Sequence, residues 1–287
     1  MAPAALISGA SSGIGRATAL RLEAEGWTVF AGVREPSAGD SLVEAATGAG
    51  ALEPVRLDVT EQESIEAARS LIGERVGADG LNGLVNNAGI GVGGPLEYVP
   101  LENLRVVLEV NVTGQVAVTQ AMLPLLRSGA GRIVFTSSDN GRWAPPYMGP
   151  YAASKFAIEA VGDVLRVELR RSKIPVSIVE PGSIKTSIWD KGLDGIAGGD
   201  LNLSADSEQH YGDVTTVLRN ALEQGKANGI PPERVADAIH HALTARRPKT
   251  RYRVGRDART MIALKKILPD RAFDSAVSRM IGRLEKS

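Results

Sequence analysis

Short apolar runs rich in β-branched residues recur along the chain, separated by longer stretches in which apolar side chains fall three and four positions apart. The first pattern suits strands covered on both faces, the second amphipathic helices. Their regular alternation is that of βαβ units wound around a parallel sheet. Strands are expected at residues 4–8, 28–33, 53–57, 84–86, 132–137, 176–180 and 251–254, giving an α/β fold: a doubly wound, mainly parallel seven-stranded sheet with helices on both faces. A helix over 61–76 has Thr60 and Glu63 at capping-box spacing, and Ile158, Val161 and Leu165 form an apolar stripe on a helix that begins near Tyr151. Long helices are expected over 101–126 and 151–172. No linker-like, low-complexity or repeated segment interrupts the 287 residues, so a single domain is expected over 1–287.

A doubly wound sheet binds ligands beyond the carboxyl ends of its strands, and the chain carries its most distinctive residues there. The first strand runs into "SGASSGIGRA", where Gly9, Gly13 and Gly15 lead into a helix that reaches about Glu25. Glycines let the backbone approach a pyrophosphate, and a helix N-terminus presents free amides and a positive dipole end. Taken alone, the G-x-x-x-G-x-G spacing also fits a plain tight connection. In "GPYAASKFAIEA", Tyr151 stands four residues before Lys155, on the same helix face. A phenol needs its pKa lowered by about 3 units, roughly 4 kcal/mol, to exchange protons near neutrality. One cation at about 4 Å supplies that much at an effective dielectric near 20. Lys155 is therefore expected to lower Tyr151 and make it a proton donor and acceptor for a carbinol oxygen. A lone tyrosine and lysine at this spacing would also suit an ordinary helix surface.

Composition narrows the partners. Hydrophobic residues make up 43% of the chain, enough for a full core, and 33 basic residues cancel 33 acidic ones, so no electrostatic footprint for nucleic acid is present. With no cysteine there is no disulfide framework or thiolate metal site. His210, His240 and His241 lack metal-ligand spacing; no metal is expected, and the adjacent pair is read as helix surface. The opening "MAPAALISGA" has no signal-peptide pattern and no apolar stretch reaches about eighteen residues, so the expectation is a soluble cytoplasmic protein without stable membrane insertion.

Taken in order, "SGASSGIG", "LDVT", "NNAG", "NVTG", "YAASK" and "PGSIKT" resemble the short-chain dehydrogenase/reductase family over residues 4–186, nearest its steroid and retinol dehydrogenase branch. The resemblance implies a Rossmann-type fold, with a cofactor-binding and catalytic core over 1–186 and a substrate lid, last strand and C-terminal helices over 187–287. It implies an NAD(P)(H)-dependent oxidoreductase that interconverts an alcohol and a ketone or aldehyde. Tyr151 would be the acid/base, and Lys155 its partner and ribose anchor. Ser138, preferred by spacing over Ser137, would bind the substrate oxygen, and Asn111 would prop the helix backbone and a proton-relaying water. Cofactor contacts are implied at Gly9, Ser11, Ser12, Gly13, Ile14 and Gly15 in the loop, Asp58 and Val59 at the adenine, Asn87 and Gly89 beside the ribose, and Ile184 and Thr186 at the nicotinamide. Ser8 stands where the family usually has threonine and keeps the hydroxyl; Glu180 before Pro181 occupies a position that varies. The same resemblance implies a homodimer or homotetramer formed through the two long helices.

Cofactor choice turns on "TVFAGVREPS". An NAD site usually ends this strand with an acid that repels a 2′-phosphate; here Val33 holds that place and Arg34 follows, a planar cation suited to phosphate. NADP(H) is expected to be preferred and NAD(H) possible, since Glu35 could pair with Arg34 and Ser12 fills a loop position often basic in NADP-dependent relatives. Trp143, Tyr147, Met148 and Trp189 suggest a medium-sized or bulky apolar small-molecule substrate, under a glycine-rich lid that follows Thr186. Lys265 and Lys266 beside Ile262, Leu264, Ile267 and Leu268 allow a membrane contact, although a helix packed on its own core is expected. Two rivals remain open: a nucleotide sensor or scaffold on the same fold, and an isomerase or dehydratase of the extended relatives.

Overall fold

The computed structural model describes residues 2–186 and 205–285. Strands β1 (Ala4–Ser8), β2 (Thr28–Val33), β3 (Ala51–Arg56), β4 (Gly83–Asn86), β5 (Arg132–Thr136), β6 (Val176–Pro181) and β7 (Arg251–Val254) form one sheet in the order β3-β2-β1-β4-β5-β6-β7. Every pairing is parallel. The pattern-based bounds shift only at ends: β3 begins earlier, β5 stops before Ser137 and β6 runs on through Pro181. Strand order reverses between β1 and β4, and the crevice above that switch point is where such a sheet takes a ligand.

The helices among the described residues are α1 (Gly13–Ala24), α2 (Asp40–Glu44), α3 (Gln62–Val76), α4 (Leu101–Leu108), α5 (Gly114–Ser128), α6 (Gly149–Glu168), α7 (Ala205–Tyr211), α8 (Val214–Asn228), α9 (Glu233–Thr244), α10 (Arg256–Ile267) and α11 (Asp270–Leu284). Alternate strand residues feed two cores. Leu6, Phe30, Leu84 and Phe135 pack with Ile72, Met122 and Ile158 on one face. Ile7, Ala31, Val85 and Val134 pack with Leu22 and Ile239 on the other. A third, smaller cluster joins Trp143 to Phe273 and Val277 of α11. In α10, Ile262 is buried while Ile267 is 76% exposed, so that helix packs on the core through only part of its apolar set.

Two local expectations give way. No capping box forms at α3: the Thr60 hydroxyl and amide both donate to Asp58 Oδ1 at 2.7 and 2.9 Å, and the helix starts after Glu61 without a side-chain cap. A nearby carboxylate outcompetes the helix amides for the threonine. The long helix expected over 101–126 is continuous but not uniform, because a π turn at Glu109–Thr113 separates α4 from α5. The run Leu101–Ser128 is long and apolar enough by length and composition to cross a membrane, a property that a search for uninterrupted apolar residues passes over. Its buried positions, among them Val107, Val118, Met122 and Leu126, belong to the protein core.

Candidate active site

One wall of the crevice is made of backbone. The Ser8 hydroxyl accepts from the amides of Asn87 and Ala88 at 3.0 and 3.1 Å, tying the end of β1 to the end of β4. This is the role the Thr-to-Ser departure leaves intact. Asn87 Nδ2 donates to the carbonyls of Ser8 and Gly9, both at 3.2 Å, so it braces the glycine turn itself. Gly9 has φ +67°, and a Cβ on Gly15 would lie 2.2 Å from the Gly9 carbonyl oxygen. Side chains are excluded at both positions. Ser12 caps α1 by backbone alone, without a side-chain hydrogen bond, so the first amides of α1 remain directed at the crevice. Ser11, Ser12, Gly13 and Ile14 line the same space. A cradle that added atoms would fill, opening on helix amides, fits a dinucleotide pyrophosphate.

At the adenine end Val33 is buried, whereas Arg34 is exposed and forms no ion pair with Glu35 or any other carboxylate among the described residues. Burial raises the Asp58 carboxyl, but the Thr60 hydroxyl and amide, with Arg34 and Arg56, outweigh it and hold the pKa below its ordinary value. The neighbouring Val59 is buried. Gly89 lies where a Cβ would be 3.3 Å from Asn111 Oδ1 and 3.7 Å from Lys155 Nζ. Thr186 and Ile184 both line the crevice. The Ile184 side chain nevertheless belongs to the core, so only its backbone is placed to meet a ligand.

The four family-type residues come together at the carboxyl ends of β4 and β5. Asn111, fully buried in the π turn, accepts from the Ile90 amide and donates to the Ile90 carbonyl, both at 2.8 Å, and donates to Ser154 Oγ at 2.9 Å. A solvated helix face is therefore ruled out for it. Lys155 Nζ donates to the Thr136 carbonyl at 2.9 Å and stands 5.5 Å from the centroid of the Tyr151 ring. The expected lowering of Tyr151 by this ammonium is overturned. Burial pushes Tyr151 up to about 12, with the Asp139 charge adding and a hydrogen bond to Ser138 opposing. Burial pulls Lys155 down to about 8, and Glu159 partly restores it. The one-turn spacing places the ammonium against the ring face and the Thr136 carbonyl, while desolvation dominates both groups.

The other wall is made of side chains. The Ser138 hydroxyl donates to Asp139 Oδ1 at 3.0 Å and accepts from the Asn140 amide at 3.2 Å. Trp143 Nε1 donates to Asp139 Oδ2 at 3.1 Å, and its ring meets Phe273 edge-on with centroids 6.0 Å apart. Trp143 lines the crevice but is itself buried, clustered with Phe273 and Val277 of α11 and with Met261 and Leu268, which makes it a support more than an open wall. Tyr147, at φ +66°, and Met148 complete this side, with Leu218, Met261, Met280 and Leu284 from the C-terminal helices. Trp189 and the glycine-rich segment read as a lid, residues 187–202, lie outside the described residues.

Several contributors carry no recognisable motif, Asp139 and the C-terminal side chains foremost. Glu159 and Asp163 did leave a signal: with Tyr151 and Lys155 they repeat every four residues along α6. Arg251 bridges Glu159 at 2.9 Å and Asp163 at 2.7 Å, while Arg142, Arg251 and Arg253 surround the fully buried Glu180 at 3.7, 3.3 and 3.1 Å. Glu180 is thus a structural carboxylate beneath the site.

Residues 3–195 match the family described as short chain dehydrogenase. A relative named NADPH-dependent 3-dehydrocapnine reductase, from Ornithobacterium rhinotracheale, is 35% identical over 285 residues, covering 98% of each chain. Retinol dehydrogenase 5 of Mus musculus is 36% identical over 289 residues, covering 98% of this chain and 89% of the relative. The solved structure of a short-chain dehydrogenase from Streptomyces avermitilis superposes with a TM-score of 0.75 at 28% identity, covering 100% of this chain and 97% of that one.

Proposed function

The chain belongs to the short-chain dehydrogenase/reductase family, in the branch of the retinol and steroid dehydrogenases, and from that premise we propose an NADP(H)-preferring enzyme that interconverts a bulky, largely apolar ketone or aldehyde with its alcohol. One observation carries the reading: Tyr151, Ser138, Lys155 and Asn111 line or adjoin a single crevice with the glycine turn and Arg34. A bound nicotinamide would supply or accept the hydride and, when oxidised, place a positive charge near the phenol.

In this reading the glycine turn and α1 amides hold the pyrophosphate, Asp58 and Val59 the adenine, and Arg34 the 2′-phosphate. Tyr151 moves the proton at the carbinol oxygen. Ser138 orients that oxygen by hydrogen bonding. Lys155, held by the Thr136 carbonyl, adds a positive charge below the phenol, and Asn111 fixes the backbone at Ile90 that closes the site. The phenol is half-buried at the crevice wall, so a ligand that fills the crevice would shed water from it and let a further positive charge act with less screening. The NADP(H) preference is supported by Arg34, exposed and without an ion pair among the described residues, and by the relative named NADPH-dependent. Apolar side chains exposed on α4 (Leu101, Val106) and α6 (Phe156, Val164, Val167) support a homodimer or homotetramer; a monomeric mass by light scattering at micromolar concentration would overturn it. NADPH oxidation with a panel of aryl and alkyl ketones tests the activity. Cofactor binding without turnover across the panel would favour a sensor instead.

A further inference from the structure

Asp139 stands beside the reacting position with no compensating charge among the described residues. Its Oδ1 accepts the Ser138 hydroxyl, its Oδ2 accepts the Trp143 indole, and it lines the crevice. No lysine, arginine or histidine among the described residues forms an ion pair with it. The arginines that might have done so are committed elsewhere: Arg142 to Glu159 and Glu180, Arg251 to Glu159, Asp163 and Glu180, and Arg253 to Glu180. Asp257 adds a second negative charge from α10, anchored by the Ser183 amide at 2.6 Å. Burial first, then that neighbouring charge, push the Asp139 carboxyl above its ordinary value, against the hydrogen bonds from Trp143, Ser138 and the Asn140 amide. A carboxylate in a poorly hydrated wall is costly unless something positive reaches it.

The resting arrangement also points the wrong way for catalysis on a neutral ketone. Ser138 must donate its hydrogen to the substrate oxygen, yet Asp139 Oδ1, 3.0 Å away, competes for that hydrogen. A donor stronger than the serine, seated on Oδ1, would release it. We infer that Asp139 is a specificity residue that receives an ammonium group carried on the carbon next to the reacting one, so that the substrate is a vicinal amino alcohol or α-amino ketone with an apolar body. This rests on the oxidoreductase reading above and narrows it. In such a molecule the nitrogen and oxygen sit within hydrogen-bonding distance of each other, as do Asp139 Oδ1 and Ser138 Oγ, 3.0 Å apart. The ammonium displaces the serine hydrogen from the carboxylate, and Ser138 turns to the substrate oxygen. Trp143, pinned by Phe273, keeps Oδ2 in place meanwhile.

The test compares phenylethanolamine with ethyl phenyl carbinol, in which a methyl replaces the ammonium. Calorimetry on the full chain saturated with NADPH reads binding without turnover, since both probes are already reduced. The ammonium probe is expected to bind at least about tenfold tighter, as a charge-assisted hydrogen bond would give, and Asp139→Asn is expected to bring the ratio to about one. Equal binding of the two probes by the wild type, no measurable binding of phenylethanolamine, or a preference that survives in Asp139→Asn overturns the inference. Oxidation with NADP+ separates this from the parent reading. Turnover of ethyl phenyl carbinol without any ammonium preference sinks the inference and leaves the oxidoreductase standing; an ammonium preference in binding with no turnover of either probe sustains the cation site and sinks the oxidoreductase.

Discussion

The two walls of the crevice are built from different materials. The cofactor wall is backbone held against backbone: Gly9 and Gly15 leave no room for a methyl group, and Ser8 and Asn87 stitch the turn to β4. The substrate wall is a relay of side chains drawn from distant segments, Ser138 to Asp139 to Trp143 to Phe273. A wall of backbone recognises what every dinucleotide shares and tolerates no added atom. A wall of side chains can be rewritten one residue at a time without disturbing the sheet, so the same fold can serve many substrates.

The largest effect is expected where the walls meet. Tyr151→Phe keeps the ring and removes the transferable proton, so kcat should fall by about 10² to 10⁴ while NADPH affinity stays near wild type. Near-normal kcat in this variant would detach the phenol from the chemistry. Next comes the contrast itself. Gly15→Ala forces a contact 2.2 Å from the Gly9 carbonyl, and overpacking of about 1 to 3 kcal/mol corresponds to roughly ten- to a hundredfold weaker NADPH binding. Trp143→Phe keeps ring packing on Phe273 but loses one hydrogen bond to Asp139; it should alter substrate KM about tenfold and leave NADPH affinity unchanged. If both variants impaired cofactor binding alike, the two walls would not be separable.

That contrast also explains what could be read from the chain. All seven strands were legible because covered parallel strands are written as apolar runs, and the glycine turn because its backbone geometry demands particular residues. The placement of Lys155 beside Tyr151 followed from helix periodicity. The direction of their pKa shifts did not, because burial is a property of the assembled site: Tyr151 rises to about 12 and Lys155 falls to about 8. Thr60 lost its cap because Asp58, two residues away, was the better acceptor. Asp139 was illegible for a similar reason. Its meaning depends on which arginines are occupied elsewhere, and those pairings join α6, β6 and β7 across 73 to 92 residues of sequence.

Within the cofactor wall, Arg34 should matter less than the glycines. An exposed guanidinium meeting a phosphate contributes about 1.5 to 3 kcal/mol at most, so Arg34→Ala should weaken NADPH by about tenfold or somewhat more and leave NADH nearly unaffected. Equal loss for both cofactors would assign Arg34 to the adenine instead of the 2′-phosphate.

The smallest expected effect lies in pH, and Lys155 sets its sign. With a folded pKa of about 8 against an ordinary 10.5, the ammonium is lost as pH rises through 8, and NADPH affinity should fall severalfold over that range. Stability should move the other way. Between about 8 and 10 the unfolded lysine still binds the proton that the folded one has released, so this group's contribution to stability rises with pH. Tyr151 reverses the trend above 10, because the folded phenol keeps its proton up to about 12 while the unfolded one loses it. Lys155→Met, which keeps a linear side chain without the charge, should flatten both curves between pH 8 and 10. Titrations of NADPH affinity and of urea midpoint on wild type and Lys155→Met read the two signs directly. Curves that fall together, or that Lys155→Met leaves unchanged, would place the titrating group elsewhere and remove Lys155 as the charge that both walls share.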